Sequence, residues 1–355
     1  MEKNEIYEFC GKLFPICRSI TGNGVRKTMA LINEVVEGHL NVVEVPSGTA
    51  VFDWTVPNEW NIKDAYIENS KGEKIVDFKV SNLHVLGYST PVDKYVSLSE
   101  LKEIVYTAQD QPDVIPYVTS YYKERYGFCM SYNQLCSLPE DTYHIVIDST
   151  LEPGSLTYGE ILIKGAVEDE ILLSAYTCHP SMANNECSGP AVLAHIAREL
   201  LHRDNHYSYR IIFIPETIGS ITYLSRNLDV MKKNVVAGFN LTCVGDNDNY
   251  SYIPSIEGNT LADKVALNVL DSYDYEYKRY TFMDCGSDGR RYNAPNVDLP
   301  VIELCRTKYW EFKEYHTSLD NMDYISAEGL NGTYTLVMRI LDALEANKVY
   351  LIKTI

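Results

Sequence analysis

The sequence has no long apolar run and no excess of positive charge. No stretch of about 18 apolar residues occurs in the 355-residue chain, so no transmembrane helix is predicted. The first 17 residues mix charged and apolar side chains and lack the apolar core of a secretory signal. Lys and Arg number 31 against 49 Asp and Glu, a formal charge of -18, which argues against nucleic acid or an anionic membrane as a partner.

Closely spaced cysteine pairs are also missing. The number of cysteines is odd, their spacing is wide, and no CxxC motif occurs. A disulfide framework is therefore not expected in a chain of this length, and reduced thiols in a cytoplasmic protein are the simpler interpretation. The nine cysteines are Cys10, Cys17, Cys129, Cys136, Cys178, Cys187, Cys243, Cys285 and Cys305.

The patterning of apolar residues predicts an α/β fold. Residues 4–37 have helical periodicity with a Gly-rich break, whereas residues 40–125 consist of short runs of β-forming residues between turns. Further along, strands alternate with helices, which predicts a mostly parallel mixed sheet flanked by helices. We expect one α/β domain from residues 1–39 and 126–355, with a small β-rich domain inserted at 40–125. Residues 143–150 and 156–165 could form a hairpin, residues 218–227 a short helix, and residues 325–347 a last long helix capped by Ser326.

Polar side chains cluster just after the predicted strands, where α/β proteins place their active sites. His179, Asn185 and Glu186 follow one strand, Glu216 follows the next, and His316 comes after the last. Imidazole nitrogen and carboxylate oxygen are zinc ligands, and a carboxylate that is not a ligand can act as a general base. Each residue also has a simpler interpretation, as a loop histidine or as an acidic charge near a helix N-terminus.

Two other classes of hydrolase fit the sequence poorly. Neither Ser181 nor Ser188 lies in a G-x-S-x-G motif, which argues against a serine hydrolase. Cys178 and His179 are adjacent, and neighbouring side chains in an extended segment point in opposite directions. A cysteine–histidine catalytic pair is therefore not expected there.

Taken together and in order, four motifs resemble the zinc aminopeptidase clan, which has a phosphorylase/hydrolase-like fold. They are CHPSMANNECSG, FIPETIGS, CGSD and EYHTSLDNMDYIS. The resemblance is closest to bacterial aminopeptidase-like proteins associated with polysaccharide biosynthesis, and it covers most of the chain. It implies that residues 40–125 are that group's inserted domain. The winged helix that often ends such proteins is not expected, since the sequence stops at KVYLIKTI.

The resemblance also assigns roles to three residues. His179 matches the first metal-binding histidine of the clan, His316 matches the last, and Glu216 matches the general base. The implied activity is that of a zinc-dependent hydrolase, in which metal-bound water, deprotonated by Glu216, attacks an amide or peptide bond. Three further residues are candidates for binding a small-molecule or peptide substrate, namely Asp288, Arg306 and Tyr315.

The sequence departs from the clan where two metal ions would be held. The bridging aspartate falls on Asn185, with Glu186 in the place of asparagine, and the second glutamate of the usual pair falls on Thr217. A neutral amide cannot supply the anionic bridge between two cations. We therefore expect one zinc per chain, bound by His179, His316 and an oxygen of Asn185 or Glu186; complete loss of metal is the alternative.

Two other functions remain open at this point. The chain could be a catalytically inactive aminopeptidase-like protein that acts as a binding or scaffold protein in a polysaccharide pathway. It could also be an amide-forming or cyclising transferase that uses the same residues. No heptad pattern or exposed apolar stripe is evident, so the sequence leaves open whether the protein forms a homo-oligomer.

Overall fold

The computed structural model describes residues 4–347, which form a large mixed sheet, a smaller sheet and nine α-helices. The helices are α1 (Glu5–Leu13), α2 (Asn23–Val35), α3 (Leu98–Ile104), α4 (Tyr132–Ser137), α5 (Ser188–Leu201), α6 (Ile218–Asn234), α7 (Leu261–Ser272), α8 (Gly289–Tyr292) and α9 (Ala327–Glu345). The strands are β1 (Asn41–Pro46), β2 (Ala50–Val51), β3 (Trp54–Thr55), β4 (Glu59–Glu68), β5 (Lys74–Asp77), β6 (Val92–Ser97), β7 (Val105–Tyr106), β8 (Phe128–Cys129), β9 (Thr142–Glu152), β10 (Ser155–Ile163), β11 (Glu170–Tyr176), β12 (Ser208–Ile214), β13 (Val235–Leu241), β14 (Tyr250–Ile253), β15 (Tyr277–Arg279) and β16 (Val301–Cys305).

The large sheet has the strand order β1-β10-β12-β11-β13-β16-β14-β15. Its four central strands, β12, β11, β13 and β16, are parallel. Towards one edge, β10 pairs antiparallel with β12 and β1 antiparallel with β10; towards the other, β14 pairs antiparallel with β16 and parallel with β15. The predicted α/β class with a mostly parallel mixed sheet is therefore confirmed. The carboxyl ends of the four central strands meet at one edge, and they present the loops that follow them together.

Both faces of the large sheet are buried, because alternate residues of its central strands pack into different cores. Leu173 and the residues on the same face of the neighbouring strands pack against α1, α2, α5, α7 and α9. Leu172 and the residues on the opposite face pack against α6, α8 and the small sheet. This explains why β11 and β12 are continuous apolar runs in the sequence. None of the helices within residues 4–347 is long and apolar enough to cross a membrane. None of the nine cysteines, all within that range, forms a disulfide.

Most of the predicted elements are present, and one capping prediction is confirmed in detail. The Ser326 hydroxyl accepts a hydrogen bond of 2.9 Å from the backbone N–H of Gly329, so Ser326 caps α9 as its position before the apolar pattern predicted. Helix α6 is longer than the short helix expected from its sequence and ends at Asn234.

The predicted hairpin of residues 143–150 and 156–165 is wrong. Strand β9 pairs with β4 and β6 in a four-stranded sheet of order β5-β4-β9-β6, whereas β10 pairs with β1 and β12 in the large sheet. Each strand thus has partners on both sides, and the chain passes from one sheet to the other at residues 153–154. Strand β9 therefore belongs to the small sheet, whereas β1 belongs to the large sheet. The division into 40–125 and the rest stays a prediction; β1 lies inside this range but pairs in the large sheet, and β9 lies outside it but pairs in the small sheet.

A group of charges joins α2 to the first strand of the small sheet. The Arg26 guanidinium donates two hydrogen bonds to Glu59, of 2.7 and 2.6 Å, and a third of 2.5 Å to Glu44. The backbone N–H of Ser155 also donates to Glu59 at 2.9 Å. These donors, Arg26 first, hold the pKa of Glu59 down at about 2. Glu59 thereby connects α2, β4 and β10.

We expect the substitution Glu59→Gln to reduce stability in a pH-dependent way. Because the pKa of Glu59 is lower in the folded protein than in the unfolded chain, its contribution is present above about pH 4.5 and is lost as the pH falls towards 2. The variant should lose about 1–3 kcal/mol of unfolding free energy at pH 7. Its stability should also fall less steeply between pH 5 and 2 when measured by urea denaturation.

Glu44→Gln is the matched control, since Glu44 pairs with the same arginine but its side chain is 48% exposed, against 11% for Glu59. We expect a loss below about 1 kcal/mol for this exposed pair. Equal losses in the two variants at pH 7 would contradict the central role of Glu59.

Candidate functional site

The candidate site lies at the carboxyl edge of the central parallel strands. Strand β11 ends at Tyr176 and leads into Cys178 and His179, and β12 ends at Ile214 and leads into Glu216. Because β11 and β12 are neighbours in parallel register, the two following segments emerge side by side. The structure therefore brings together two of the predicted site residues through its central strand pair.

His179 is oriented by Glu186. The Oε2 atom of Glu186 lies 3.0 Å from both the ring Nδ1 and the backbone N–H of His179. The other carboxylate oxygen, Oε1, lies 3.2 Å from Nε of Arg18, and both charged side chains are 1% exposed. Arg18 also donates a hydrogen bond of 2.9 Å to the carbonyl oxygen of His179. Burial lowers the pKa of His179, but the bond to Glu186 and its charge outweigh this effect and raise it.

Glu186 and Asn185 lie in a π-helical turn, Ala183–Cys187, that precedes α5. Such turns redirect side chains within a helix and are frequent at functional sites. Asn185 donates from Nδ2 to the Tyr176 hydroxyl at 2.7 Å, and its buried Oδ1 atom has no hydrogen-bond partner within residues 4–347. The carboxylate of Asp320 accepts the backbone N–H groups of Asn184 at 2.6 Å and Asn185 at 3.0 Å, which fixes the turn.

His316 is the second imidazole of the site. Its ring centroid lies 5.4 Å from that of His179, and its backbone has a left-handed φ of 54°. Burial, together with the nearby His179, places its pKa well below the usual range, so the ring is neutral at pH 7. The buried Nε2 atom of His316 lacks a hydrogen-bond partner in the part of the chain that the structure describes. A neutral imidazole with a free nitrogen is a typical metal ligand.

A segment from the β-rich part of the chain holds the His316 loop in place. The backbone N–H of Tyr117 donates to the carbonyl of His316 at 2.8 Å, and Ser318 and Ile115 exchange two hydrogen bonds of 2.9 and 3.0 Å. The Tyr117 ring lies 5.2 Å from His179 and 5.0 Å from His316, measured between centroids. No sequence motif indicated Tyr117, because its role depends on the docking of a segment about 200 residues away in sequence.

Glu216 faces His179 across the site. Its Oε2 atom lies 3.9 Å from Nε2 of His179, which is beyond hydrogen-bonding distance. Its Oε1 atom accepts a bond of 2.5 Å from the Ser287 hydroxyl, and its backbone N–H donates to the Cys178 sulfur at 3.2 Å. Burial raises the pKa of Glu216, and the His179 ring partly opposes this effect. A carboxylate with a raised pKa can accept and release a proton near neutral pH.

The predicted substrate-binding residues occupy three different places. Asp288 is fully buried behind Glu216, where it accepts bonds of 2.7 Å from the Thr217 N–H and the Ser220 hydroxyl. Burial and the charge of Glu216 raise the pKa of Asp288 to about 8. Tyr315 stacks on His316 with a centroid distance of 3.9 Å. Arg306 lies over the Tyr250 ring at 4.0 Å. Their predicted contact with substrate stays a prediction.

Three side chains of the site have atoms that are able to bind a divalent cation. His179 bonds through Nδ1 and leaves Nε2 available, which is the usual arrangement of a metal-binding histidine held by a carboxylate. His316 Nε2 and Asn185 Oδ1, both buried and unsatisfied in the described residues, add a nitrogen and an oxygen. A buried polar atom without a hydrogen-bond partner lowers the stability of the folded protein. A bound cation would satisfy two such atoms.

A second set of ligand atoms uses the other side of the same histidine. The ligand atoms of Cys178, His179 and Glu186 lie within 4.8 Å of one another, and all three residues are buried. However, the Glu186 carboxylate already pairs with the buried Arg18 cation at 3.2 Å. A divalent ion at this point would lie close to an arginine charge that has no other acidic partner within residues 4–347. We therefore favour the set on the Nε2 side.

A cavity of about 280 Å³ opens beside Glu216. Its wall comes from several parts of the chain: Ile20, Asp53, Trp54, Tyr121, Tyr122, Glu216, Thr217, Ile218, Ile221 and Arg291. A larger cavity of about 600 Å³ begins near Glu170 and Ser208, at the opposite ends of β11 and β12. Because it lies away from the histidines and Glu216, we assign the smaller cavity to the site.

We expect the buried pair of Arg18 and Glu186 to be strongly coupled. Arg18→Met should lower the unfolding free energy by about 3–5 kcal/mol, because it leaves the Glu186 charge buried without a cation. The double variant Arg18→Met/Glu186→Gln should lose less unfolding free energy than the two single variants lose in sum. We expect the difference to be at least about 1 kcal/mol in urea denaturation.

The surface substitution Arg203→Met is the control for this cycle. Arg203 pairs with Glu199 and Asp342 on the exposed side of the protein, so its loss should cost less than about 1 kcal/mol. Strict additivity of the two buried substitutions would contradict the coupling.

Comparisons with known proteins identify the family and the fold of the chain. The family described as "Domain of unknown function (DUF4910)" matches residues 7–347. A Clostridium acetobutylicum protein named "Putative polysaccharide biosynthesis protein with aminopeptidase-like domain" is 51% identical over 347 residues, 98% of this chain and 79% of that protein. A solved structure titled as a putative peptidase from the same species superposes with a TM-score of 0.96 at 50% identity, covering 98% of this chain and 82% of the other.

A more distant structure shares the fold. A zinc aminopeptidase from Bacillus subtilis superposes with a TM-score of 0.68 at 14% identity, over 97% of this chain and 95% of the other. The resemblance to aminopeptidase-like proteins that the four motifs suggested is therefore confirmed. The chain belongs to the family described as Domain of unknown function (DUF4910), and it has an aminopeptidase-like fold.

Proposed function

We propose that the protein is a hydrolase of amide or peptide bonds that uses one zinc ion. The proposal rests on two imidazole rings that lie beside the Glu216 carboxylate. They belong to His179 and His316, and the Nε2 atom of each ring is not used in a hydrogen bond within the described residues. The names of the similar proteins, an aminopeptidase-like domain and a zinc aminopeptidase, support the same class of reaction. Asn185 supplies the third ligand through its Oδ1 atom.

Zinc, when bound, supplies a Lewis acid that polarises the substrate carbonyl and makes a water molecule more acidic. Glu216 would act as the general base, since its Oε2 atom lies 3.9 Å from His179 Nε2, within reach of a water molecule beside that free ring nitrogen. The Ser287 hydroxyl holds the other oxygen in place at 2.5 Å. Glu216 then passes the proton to the leaving amine, and its raised pKa suits both steps.

The charge balance favours one metal over two. Asn185 is neutral, and Glu186, the acidic residue next to it, is bonded to His179 and paired with Arg18. Neither of these two side chains is therefore placed to bridge two cations as a free carboxylate, and two divalent ions would be poorly neutralised in a buried site. Glu186 acts on the metal only indirectly, by orienting the first histidine.

A non-catalytic binding function is the second candidate. The observation in its favour is the buried Arg18, which neutralises Glu186 and brings a positive charge close to the site. In that case the protein would bind a ligand of a polysaccharide pathway, as the name of its relative suggests, without cleaving it. The two candidates differ in whether the protein binds zinc and turns over a substrate.

We expect His316→Asn to remove zinc binding. Asparagine tolerates the left-handed backbone of this position but cannot replace the imidazole nitrogen at the same reach. Wild-type protein should contain about one zinc per chain by elemental analysis, and zinc at a hundredfold excess over its Kd should stabilise it by about 2.7 kcal/mol. The variant should show neither.

Cys178→Ala is the matched variant for the second set of ligand atoms. We expect it to bind zinc as the wild type does, because the Cys178 sulfur lies 3.4 Å from His179 Nδ1, the nitrogen that Glu186 holds. If Cys178→Ala lost zinc while His316→Asn kept it, the metal would be assigned to the second set of ligand atoms, on the Nδ1 side of His179. A wild-type protein that takes up no zinc would overturn the hydrolase and favour the binding function.

We expect Glu216→Gln to abolish hydrolysis while leaving zinc binding intact. The amide keeps the shape of the side chain but cannot accept the proton, so kcat should fall by about 10²- to 10⁴-fold. The assay is the release of nitroaniline from a panel of aminoacyl nitroanilides, with zinc content measured on the same samples. Glu257→Gln, at an exposed position, is the control and should keep full activity. A Glu216→Gln variant as active as this control would exclude Glu216 as the base.

A further inference from the structure

The cavity beside Glu216 is built by two separate parts of the chain. Its aromatic wall, which consists of Trp54, Tyr121 and Tyr122, comes from the β-rich segment. The opposite wall comes from the start of α6, with Ile218 and Ile221, and from α8, with Arg291. A volume of about 280 Å³ is slightly below the usual range for ligand cavities and has room for a single residue-sized group.

Two hydrogen-bond donors in this wall have no acceptor. Nε of Arg291 and Nε1 of Trp54 are both buried and unpartnered within residues 4–347. The ion pairs found in the same range also leave Arg291 without a carboxylate, although Arg26, Arg198, Arg203 and Arg210 each have one within 2.5–3.0 Å. The Arg291 side chain is half-buried and lines the cavity, and an unpaired guanidinium there favours an anionic ligand. A ligand that brought an anionic oxygen into the cavity would pair with this guanidinium, with the Trp54 ring beside it.

The remaining surface of the cavity suits the rest of such a ligand. Trp54 and Tyr122 meet edge to face, with their ring centroids 5.4 Å apart, and thus form a rigid corner. The rest of the wall consists of the apolar side chains of Ile20, Ile218 and Ile221 and of the polar residues Asp53, Glu216 and Thr217. A short aliphatic stem or a single ring would be buried against these groups, while its acidic end reached Arg291.

We propose that the cavity selects substrates in which the residue next to the scissile amide carries a carboxylate, held by Arg291 and Trp54. Arginine binds carboxylates through its planar fork of N–H donors, which gives orientation as well as affinity. This inference rests on the proposed function in one respect, because it takes Glu216 to mark the position of the scissile bond. Binding of the acidic group itself does not depend on cleavage.

The test compares acidic ligands with their neutral counterparts in direct binding, measured by calorimetry and by ligand-observed NMR. Glutamate against glutamine represents an amino-acid source of the carboxylate, and galacturonate against galactose represents a sugar source. Wild-type protein should bind at least one acidic member tenfold or more tightly than its neutral counterpart. Arg291→Gln should weaken that binding by about ten- to a hundredfold, the range expected for a hydrogen bond to a charged group.

Arg290→Gln is the matched control, because Arg290 is exposed and lies one residue earlier on the same short helix. It should bind the acidic ligand as the wild type does. Equal binding of acidic and neutral ligands, equal effects of the two arginine variants, or a preference for inorganic phosphate over both acids would each overturn the proposal. If the protein bound the acidic ligand selectively but hydrolysed no substrate, the acid-binding cavity would be supported and the proposed hydrolase function would be rejected. The test therefore separates failure of one proposal from failure of the other.

Discussion

The candidate site depends on a buried ion pair between two side chains that are 168 residues apart in sequence. Arg18 and Glu186 are 3.2 Å apart and almost fully buried, and Glu186 also holds His179 at two points. A buried pair of this kind adds little net stability, but loss of either partner is costly, so the pair fixes one arrangement of the chain. Here it fixes which nitrogen of His179 faces the site. In the Asn185-Glu186 pair, the glutamate orients the histidine, whereas the asparagine donates a hydrogen bond to the Tyr176 hydroxyl.

The β-rich part of the chain belongs to the site, although most of it lies in a separate sheet. Its Tyr117 binds the backbone of His316, and its Trp54, Tyr121 and Tyr122 form the aromatic wall of the cavity. His316 has a left-handed backbone that is uncommon for a residue other than glycine, and such a conformation persists only where neighbours hold it. The same segment thus supports the second histidine and shapes the space in front of Glu216.

The sequence predicted those features that depend on local pattern. Continuous apolar runs identified the buried parallel strands, and their ends identified His179, Glu216 and His316. It could not predict Arg18, whose position in a Gly-rich break gives no sign of burial, or Tyr117, which approaches the site only through the docking of two distant segments. It also suggested a hairpin between β9 and β10, because closeness in sequence favours pairing, whereas the two strands find their partners in different sheets.

The other buried carboxylates near the site show why the donor set is so small. Asp246 accepts bonds from Asn184 Nδ2 and from both the backbone and the hydroxyl of Thr307. Asp320 is occupied by two backbone N–H groups of the π-helical turn, and Glu303 by Tyr309, Asn240 and the N–H of Gly289. These bonds tie each carboxylate to the loops and strands around it. The three acidic residues therefore position the loops, whereas His316 and Asn185 each keep a buried ligand atom without a hydrogen bond in the described residues, and His179 keeps its Nε2 atom.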